Sequence, residues 1–251
     1  MPEIQFLHLT PNRRIAYCKT PARDEGAALP GIVFLGGFKS DMEGTKALHL
    51  EEWAERTGRG FLRFDYTGHG RSSGVFEDGC ISDWADDACE AITRLTEGPQ
   101  IIIGSSMGGW LSLLFAKRAP ERLAAFIGIA AAPDFTLSMR AEMNDAARAE
   151  MAETGRWSRP SDYSDDPYII TAKLLDDGDA NLVMNAPLRL PCPVHLLQGT
   201  EDEAVPTEVA LRLLAHLQAP DVRLTLVQGA DHRFSEPREL DLLVRTVEEI
   251  V

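Results

Sequence analysis

The chain has 251 residues, of which 44% are hydrophobic and 25% are charged, and its formal net charge is -14 at pH 7. This length suits one large domain or two small ones, and it buries a sizeable core without disulfides. An acidic surface repels phosphate backbones and anionic lipid, so the composition argues against nucleic-acid partners and against binding to membrane surfaces.

The cysteines and the first residues of the sequence bear on the compartment. Cys18, Cys80, Cys89 and Cys192 form no C-x-x-C pair, which favours a reducing environment. The opening MPEIQFLHLT lacks the basic and apolar segments of a signal peptide. No apolar stretch reaches membrane-spanning length. We therefore expect a cytoplasmic protein.

The first 132 residues predict strands and helices in alternation. Two short strands, EIQFLHL and RIAYCK, come first, and the apolar run GIVFLGG is typical of a buried parallel strand. A helix ending at Gly58, the strand GFLRFD and a helix over 81–98 with Ser82 as a possible N-cap follow. The strand QIIIG, the helix MGGWLSLLFAKRAP and the strand LAAFIGIAAA complete this part.

The second half of the sequence interrupts this alternation and then resumes it. Residues 133–188 contain helical pieces but no strand that continues the pattern, whereas strands PVHLLQG and VRLTLVQG alternate with two helices after Pro191. This order predicts an α/β fold with a mostly parallel central sheet and helices on both faces. We expect a core formed by 1–132 and 189–251, with 133–188 as a small helical cap.

A candidate nucleophile lies where a predicted strand meets a helix. Residues 104–108 read Gly-Ser-Ser-Met-Gly, a G-x-S-x-G pattern in the strand-to-helix context of a nucleophile elbow. Only Ser106 has glycine two positions before and two after it, where a side chain would collide with neighbouring backbone. Ser105 is interpreted as a small residue that fits the turn.

A hydroxyl needs a base to take its proton, and that base needs an orienting acid. Asp202 and His232 follow the last two predicted strands, so both are expected at the same sheet edge as Ser106, in the chain order Ser, Asp, His. Glu201 and Glu203 flank Asp202 and are interpreted as solvated charges. The rival histidine is His69, which precedes Ser106 and is interpreted as loop architecture bonded to backbone.

Two backbone N–H groups are expected to stabilise an oxyanion. One belongs to Met107, directly after the nucleophile, and the other to Phe38, after Gly36 and Gly37 at the end of an earlier strand. The sequence has no metal-ligand spacing, no phosphate-binding P-loop and no dinucleotide fingerprint. We therefore expect chemistry without a cofactor or a metal.

Together these residues resemble the α/β-hydrolase superfamily over nearly the whole chain. The stretches GFKSDMEGTKALHLEEWA, RFDYTGHGRSSG, GPQIIIGSSMGGWLSLLFA and GRWSRPSDYS resemble more narrowly the group that contains the mitochondrial acyl-protein thioesterase, also described as the mycophenolic acid acyl-glucuronide esterase. The resemblance implies an α/β-hydrolase fold and a triad of Ser106, Asp202 and His232, with oxyanion donors at Phe38 and Met107.

The expected activity is hydrolysis of carboxylic esters or thioesters, with a small-molecule or S-acylated substrate. Met139, Met143, Trp157 and Tyr163 in the expected cap are candidates to line an apolar acyl pocket. The spacing of the methionines suits the packing face of a cap helix equally well. Two alternatives stay open: amide or carbon–carbon bond hydrolysis on the same scaffold, and a non-catalytic relative that only binds a ligand.

Overall fold

A computed structural model describes residues 2–160 and 167–250, and within these ranges the chain forms twelve strands and eight α-helices. The strands are β1 (Gln5–Thr10), β2 (Arg13–Thr20), β3 (Gly31–Leu35), β4 (Phe61–Phe64), β5 (Gln100–Ser105), β6 (Leu123–Ile129), β7 (Arg156–Arg159), β8 (Tyr168–Thr171), β9 (Leu188–Arg189), β10 (Val194–Gly199), β11 (Leu217–Gln218) and β12 (Val222–Val227). The helices are α1 (Thr45–Thr57), α2 (Ile81–Leu95), α3 (Met107–Arg118), α4 (Phe135–Glu142), α5 (Asp145–Thr154), α6 (Ala172–Ala180), α7 (Thr207–His216) and α8 (Pro237–Glu249). Among the described residues, no helix combines the length and the apolar character needed to cross a membrane.

Eight strands form one sheet in the order β1-β2-β4-β3-β5-β6-β10-β12. The pairs β1/β2 and β2/β4 are antiparallel, and the other five pairs are parallel. The predicted, mostly parallel sheet is confirmed. Because the parallel strands share one direction, their carboxyl ends meet at one edge, which is where open α/β sheets place their ligands.

Helices cover both faces of the sheet, as the alternation predicts. Successive side chains of β5 enter two different cores: Ile102 packs in the cluster that includes Trp110 of α3. Its neighbour Ile103 packs with Leu50 of α1 and Leu243 of α8. Since side chains alternate across a strand, both faces of β5 are buried, and this explains why the strand is a continuous apolar run.

Residues 133–188 contain a β-hairpin that the sequence did not predict. Strands β7 and β8 pair antiparallel, with Trp157 opposite Ile170 and both side chains buried. Each strand has only four residues, too few for an alternation to be recognised. The helices α4, α5 and α6 of this segment agree with the expected helical pieces. The hairpin was not expected, because pairing between two pieces of chain supplies a regularity that neither piece has alone.

The N-terminus of α2 is capped by a residue from a different helix. Ser82, the predicted N-cap, is the second residue of α2, and Cys80 occupies the N-cap position without a side-chain capping bond. The backbone N–H and the hydroxyl of Ser82 both donate to the carboxylate of Asp177 in α6, each at 2.7 Å. Because the first N–H groups of a helix have no partner within it, Asp177 both caps α2 and ties residues 133–188 to the sheet-covering helices.

We expect Asp177→Ala to lower the free energy of unfolding by about 1–2 kcal/mol, because it removes a helix cap and takes away the acceptor of the part-buried Ser82 hydroxyl proton. The neighbouring Asp176→Ala removes only an exposed ion pair with Arg140, so its expected change is below about 0.5 kcal/mol. Urea unfolding followed by circular dichroism measures both. Equal losses in the two variants would contradict the capping role.

Candidate active site

Ser106 lies at the corner between β5 and α3 in a strained backbone conformation. Its φ is 53° and its ψ is -117°, a region that residues with side chains rarely adopt. Its N–H donates to Ile129 O at 2.9 Å, and its carbonyl accepts from the N–H groups of Gly109 and Ala132 at 2.9 and 3.1 Å. Ser105, by contrast, is an ordinary strand residue that pairs opposite Ile129.

The glycines around Ser106 are required by close backbone contacts. A Cβ on Gly104 would lie 2.4 Å from Gly108 O, and a Cβ on Gly108 would lie 2.1 Å from Leu35 O. Neither distance is compatible with a side chain. A side chain at either position would therefore collide with backbone, as the G-x-S-x-G pattern predicts. Because glycine has no side chain, the first turn of α3 lies directly against the end of β3.

Asp202 follows β10, and four donors converge on its buried carboxylate. Oδ1 accepts from the N–H groups of Ala204 and Val205 at 3.0 and 2.7 Å. Oδ2 accepts from Gln198 Nε2 at 3.0 Å and from His232 Nδ1 at 2.9 Å. A buried carboxylate is costly unless such bonds are made, so the loop after β10 fixes the direction in which Asp202 faces His232.

His232 follows β12, and it lines the same cavity as Ser106. Because ionised Asp202 only accepts hydrogen bonds, the proton between the two residues resides on Nδ1, and the neutral ring carries its lone pair on Nε2. That tautomer is the one a general base requires. Glu201 and Glu203 are exposed, as the sequence analysis expected of solvated bystanders.

The two segments that carry the expected oxyanion donors both lie next to Ser106. Met107 is the first residue of α3, so its N–H has no acceptor within the helix and lies at the positive end of the helix dipole. The loop that carries Phe38 also approaches closely: a Cβ on Gly37 would lie 3.3 Å from the Cβ of Ser106. A side chain on Gly37 would therefore crowd Ser106 at this approach.

A cavity of about 1210 Å³ lies over Ser106 and His232. Of the four predicted pocket residues, Met139 lines it. Met143 and Trp157 are buried in the hydrophobic core instead, and Tyr163 lies outside the described residues. Apolar lining residues that the sequence analysis did not single out are Phe135, Leu137, Tyr168, Met184 and Val209.

Comparison with known proteins identifies the family. The sequence profile of the alpha/beta hydrolase family matches residues 32–244. The chain belongs to this family. Human palmitoyl-protein thioesterase ABHD10, mitochondrial, is 33% identical over 249 residues, which cover 99% of this chain and 80% of the relative. The expected resemblance is therefore confirmed.

Solved structures give the same result for this hydrolase. The crystal structure of a putative hydrolase from Agrobacterium vitis superposes with a TM-score of 0.92 at 40% identity, covering 100% of this chain and 98% of that one. Alpha/beta hydrolase domain-containing protein 10 from mouse gives a TM-score of 0.90 at 33% identity, with 98% and 97% covered. Both similarities thus cover nearly the whole length of this chain.

The rival histidine of the hydrolase, His69, is built into a loop. The residue is only 3% exposed, and its ring nitrogens face the backbone N–H of Lys39 and the carbonyl of Thr67. Burial lowers the pKa of His69 to about 4. The ring is therefore neutral at neutral pH. Its two contacts with backbone agree with the interpretation of His69 as loop architecture bonded to backbone.

Gln198 is a site residue that the sequence analysis missed. It is fully buried at the end of β10, and its Nε2 donates to Asp202 Oδ2 and to Val205 O, both at 3.0 Å. A glutamine inside a run of apolar strand residues was the available signal, because a buried amide needs polar partners. Because Gln198 lies only four residues before the predicted acid, Asp202 was the natural candidate for such a partner.

We expect Gln198→Leu to lower kcat/KM about 10-fold, the equivalent of one hydrogen bond to a charged group. Gln198→Glu is expected to lower kcat/KM further, because it places a second carboxyl group against Asp202. Gln228→Leu, at an exposed position, is the control. Steady-state hydrolysis of an activated ester measures all three, and wild-type kcat/KM in both Gln198 variants would show that the contact has no part in orienting Asp202.

The buried His69 also predicts a pH dependence of stability. Its pKa is about 4 in the fold against 6.5 for an ordinary histidine, so between these values the unfolded chain binds a proton that the folded chain does not. The free energy of unfolding therefore does not change with the protonation of His69 above pH 6.5. It falls by up to about 3 kcal/mol as the pH approaches 4, because the unfolded chain is protonated there. Urea unfolding at pH 7, 5 and 4 should show a steeper decline in wild type than in His69→Gln, and parallel declines would refute the assignment.

Proposed function

We propose that this protein is a serine hydrolase that cleaves carboxylic esters and thioesters through an acyl-enzyme. Ser106 is the nucleophile, His232 the general base and Asp202 the residue that orients it. The observation that carries the proposal is the bond of 2.9 Å between Asp202 Oδ2 and His232 Nδ1, made by a histidine that shares a cavity wall with the strained Ser106.

The first half of the reaction forms the acyl-enzyme. His232 Nε2 takes the hydroxyl proton of Ser106 as Oγ bonds to the acyl carbon. The carbonyl oxygen becomes negatively charged and accepts hydrogen bonds from the N–H groups of Phe38 and Met107. When the intermediate collapses, the bond to the leaving oxygen or sulfur breaks, and the leaving group takes the proton from His232.

The second half of the reaction releases the acid. Water gives a proton to His232 Nε2 while its oxygen bonds to the acyl carbon, and the same two N–H groups hold the oxyanion. Collapse breaks the bond to Ser106 Oγ, which regains its proton from His232. Asp202 stays ionised throughout and stabilises the imidazolium form of His232 in both halves.

The substrate class that we propose is a long-chain acyl thioester or an acyl glucuronide. The name of the human relative, palmitoyl-protein thioesterase, supports the first of these. The cavity of about 1210 Å³ exceeds the roughly 300–1000 Å³ typical of small-molecule pockets. Its apolar lining by Leu137, Met139 and Met184 suits an alkyl chain, and methionine adapts to chains of varied shape.

The proposal includes residues 133–188 as a cap and a cytoplasmic place of action. Residues of this segment line the same cavity as Ser106 and His232, which supports a role in choosing the acyl group. The four cysteines are free thiols, which supports a reducing compartment, although the relatives carry the word mitochondrial in their names.

We expect wild-type protein to react covalently with a fluorophosphonate at Ser106, and to hydrolyse an S-palmitoyl-cysteine peptide with a higher kcat/KM than p-nitrophenyl acetate. Ser106→Ala should abolish labelling and lower kcat by roughly 10⁴-fold or more, because the nucleophile is lost. Ser105→Ala is the matched control, and its labelling and turnover should stay within about threefold of wild type.

The two parts of the proposal fail separately. Labelling that persists in Ser106→Ala, or no labelling of wild type, would remove the serine mechanism. Labelling of Ser106 together with turnover of the acetate ester alone would keep the mechanism and exclude a long-chain thioester substrate. Acyl glucuronides would then be the next substrates to assay.

A further inference from the structure

The loop that carries the expected donor Phe38 contains a conformation that needs support. Lys39 has a φ of 57°, in the left-handed region that a residue with a side chain adopts at an energetic cost. Gly37 O accepts both the N–H and the hydroxyl of Ser40, at 3.2 and 2.9 Å. Tyr66 Oη donates to Gly36 O at 3.1 Å.

These contacts determine where the Phe38 N–H points. In a planar trans peptide the N–H is directed opposite to the preceding carbonyl. Since Gly37 O is turned towards Ser40, the N–H of Phe38 is directed away from Ser40. The orientation of this donor therefore depends on the whole turn from Gly37 to Ser40, including the left-handed Lys39.

His69 contacts Lys39, the residue of that turn with the left-handed φ. Its Nε2 lies 3.2 Å from the Lys39 N, and its Nδ1 lies 3.3 Å from Thr67 O. One ring nitrogen faces a donor and the other faces an acceptor, so both contacts are hydrogen bonds only in the neutral ring with its proton on Nδ1. The geometry thus selects one tautomer, with an acceptor aimed at the backbone of the Phe38 loop.

The surroundings of His69 keep it in that state. The rings of Tyr66, Phe76 and Trp84 surround it edge-on at 5.4, 5.1 and 5.1 Å between centroids. The ammonium group of Lys39 does not contact the His69 ring in this arrangement; its Nζ lies over the rings of Phe76 and Tyr168. Asp87 accepts the N–H of Thr67 at 2.7 Å, which fixes the loop on which His69 is carried.

We propose that His69 is a positioning residue for catalysis: by accepting the Lys39 N–H, it fixes the turn that directs the Phe38 N–H at the developing oxyanion. The inference rests on the proposed function, because it requires an oxyanion beside Ser106. It predicts a loss in kcat with little change in KM, since the donor acts more strongly on the transition state than on the bound ester.

Two amide variants of His69 test this. The Oε1 of His69→Gln reaches the position of Nε2 and restores an acceptor for Lys39, whereas the shorter His69→Asn reaches only the position of Nδ1. We expect His69→Asn to lower kcat 10–100-fold with KM within twofold of wild type, and His69→Gln to stay within about threefold in kcat. The affinity for an alkyl trifluoromethyl ketone, whose adduct carries an oxyanion, should fall in parallel with kcat in His69→Asn.

A general effect on folding is separated by measuring the melting temperature of both variants. Equal kcat losses that follow equal losses in melting temperature would overturn the inference, as would wild-type kcat in a folded His69→Asn. Wild-type protein that neither hydrolyses esters nor reacts with the fluorophosphonate overturns the proposed function and the inference with it. Normal labelling with unchanged kcat in His69→Asn overturns the inference alone.

A measurement on wild-type protein needs no variant to fold. A nitrogen–nitrogen scalar coupling across the Lys39 N–H···Nε2 bond, measured by NMR on uniformly labelled protein, should be present, with the proton on Nδ1. The Lys39 amide resonance should shift when the trifluoromethyl ketone adduct forms. An absent coupling, or a ring protonated on Nε2, would contradict the proposal.

Discussion

The strained corner at Ser106 is the constraint on which the rest of the molecule depends. A side-chain-bearing residue with a φ of 53° persists only when its neighbours over-determine it. Here β6 accepts its N–H through Ile129, and the first turn of α3 rests on the end of β3 through Gly108. Three adjacent parallel strands must therefore end together, and the loops that follow them are brought around one point.

Asp202 and His232 of the proposed triad lie at the same edge of the sheet as Ser106. The interactions that fix Asp202, however, differ from those that fix Ser106. Ser106 is held by steric crowding and backbone bonds, whereas Asp202 is held by four donors around a buried carboxylate. Three of those donors, the N–H groups of Ala204 and Val205 and the amide of Gln198, come from within a short stretch of chain. The Asp202 loop is thus nearly self-contained, and His232 needs only to arrive beside it at the end of β12.

The sequence predicted most of what local pattern and chain order control, and it missed what depends on distant pairing. Buried parallel strands are continuous apolar runs, and their order gave the sheet and the loops of Ser106, Asp202 and His232, whose catalytic roles stay predictions. The capping of Ser82 by Asp177 joins residues that are far apart in the chain, so no local window contains its signal. The β7–β8 hairpin is local, but each of its strands has only four residues, too few for an alternation to be recognised. Met143 and Trp157 were expected at a pocket because their types suit one, yet the same types fill cores.

The segment that lines the cavity is also in contact with the loop beside the nucleophile. The ring of Phe38 meets Phe76 and Trp84 of the sheet-covering part at 4.9 and 5.9 Å, and it meets Phe135 and Tyr168 of residues 133–188 at 5.6 and 5.9 Å. The side chain of the expected oxyanion donor is therefore held from both sides. Under the proposed function, a substrate that displaces Phe135 or Tyr168 acts on Phe38 as well, so the residues that select the acyl group also help to order the group that stabilises its transition state.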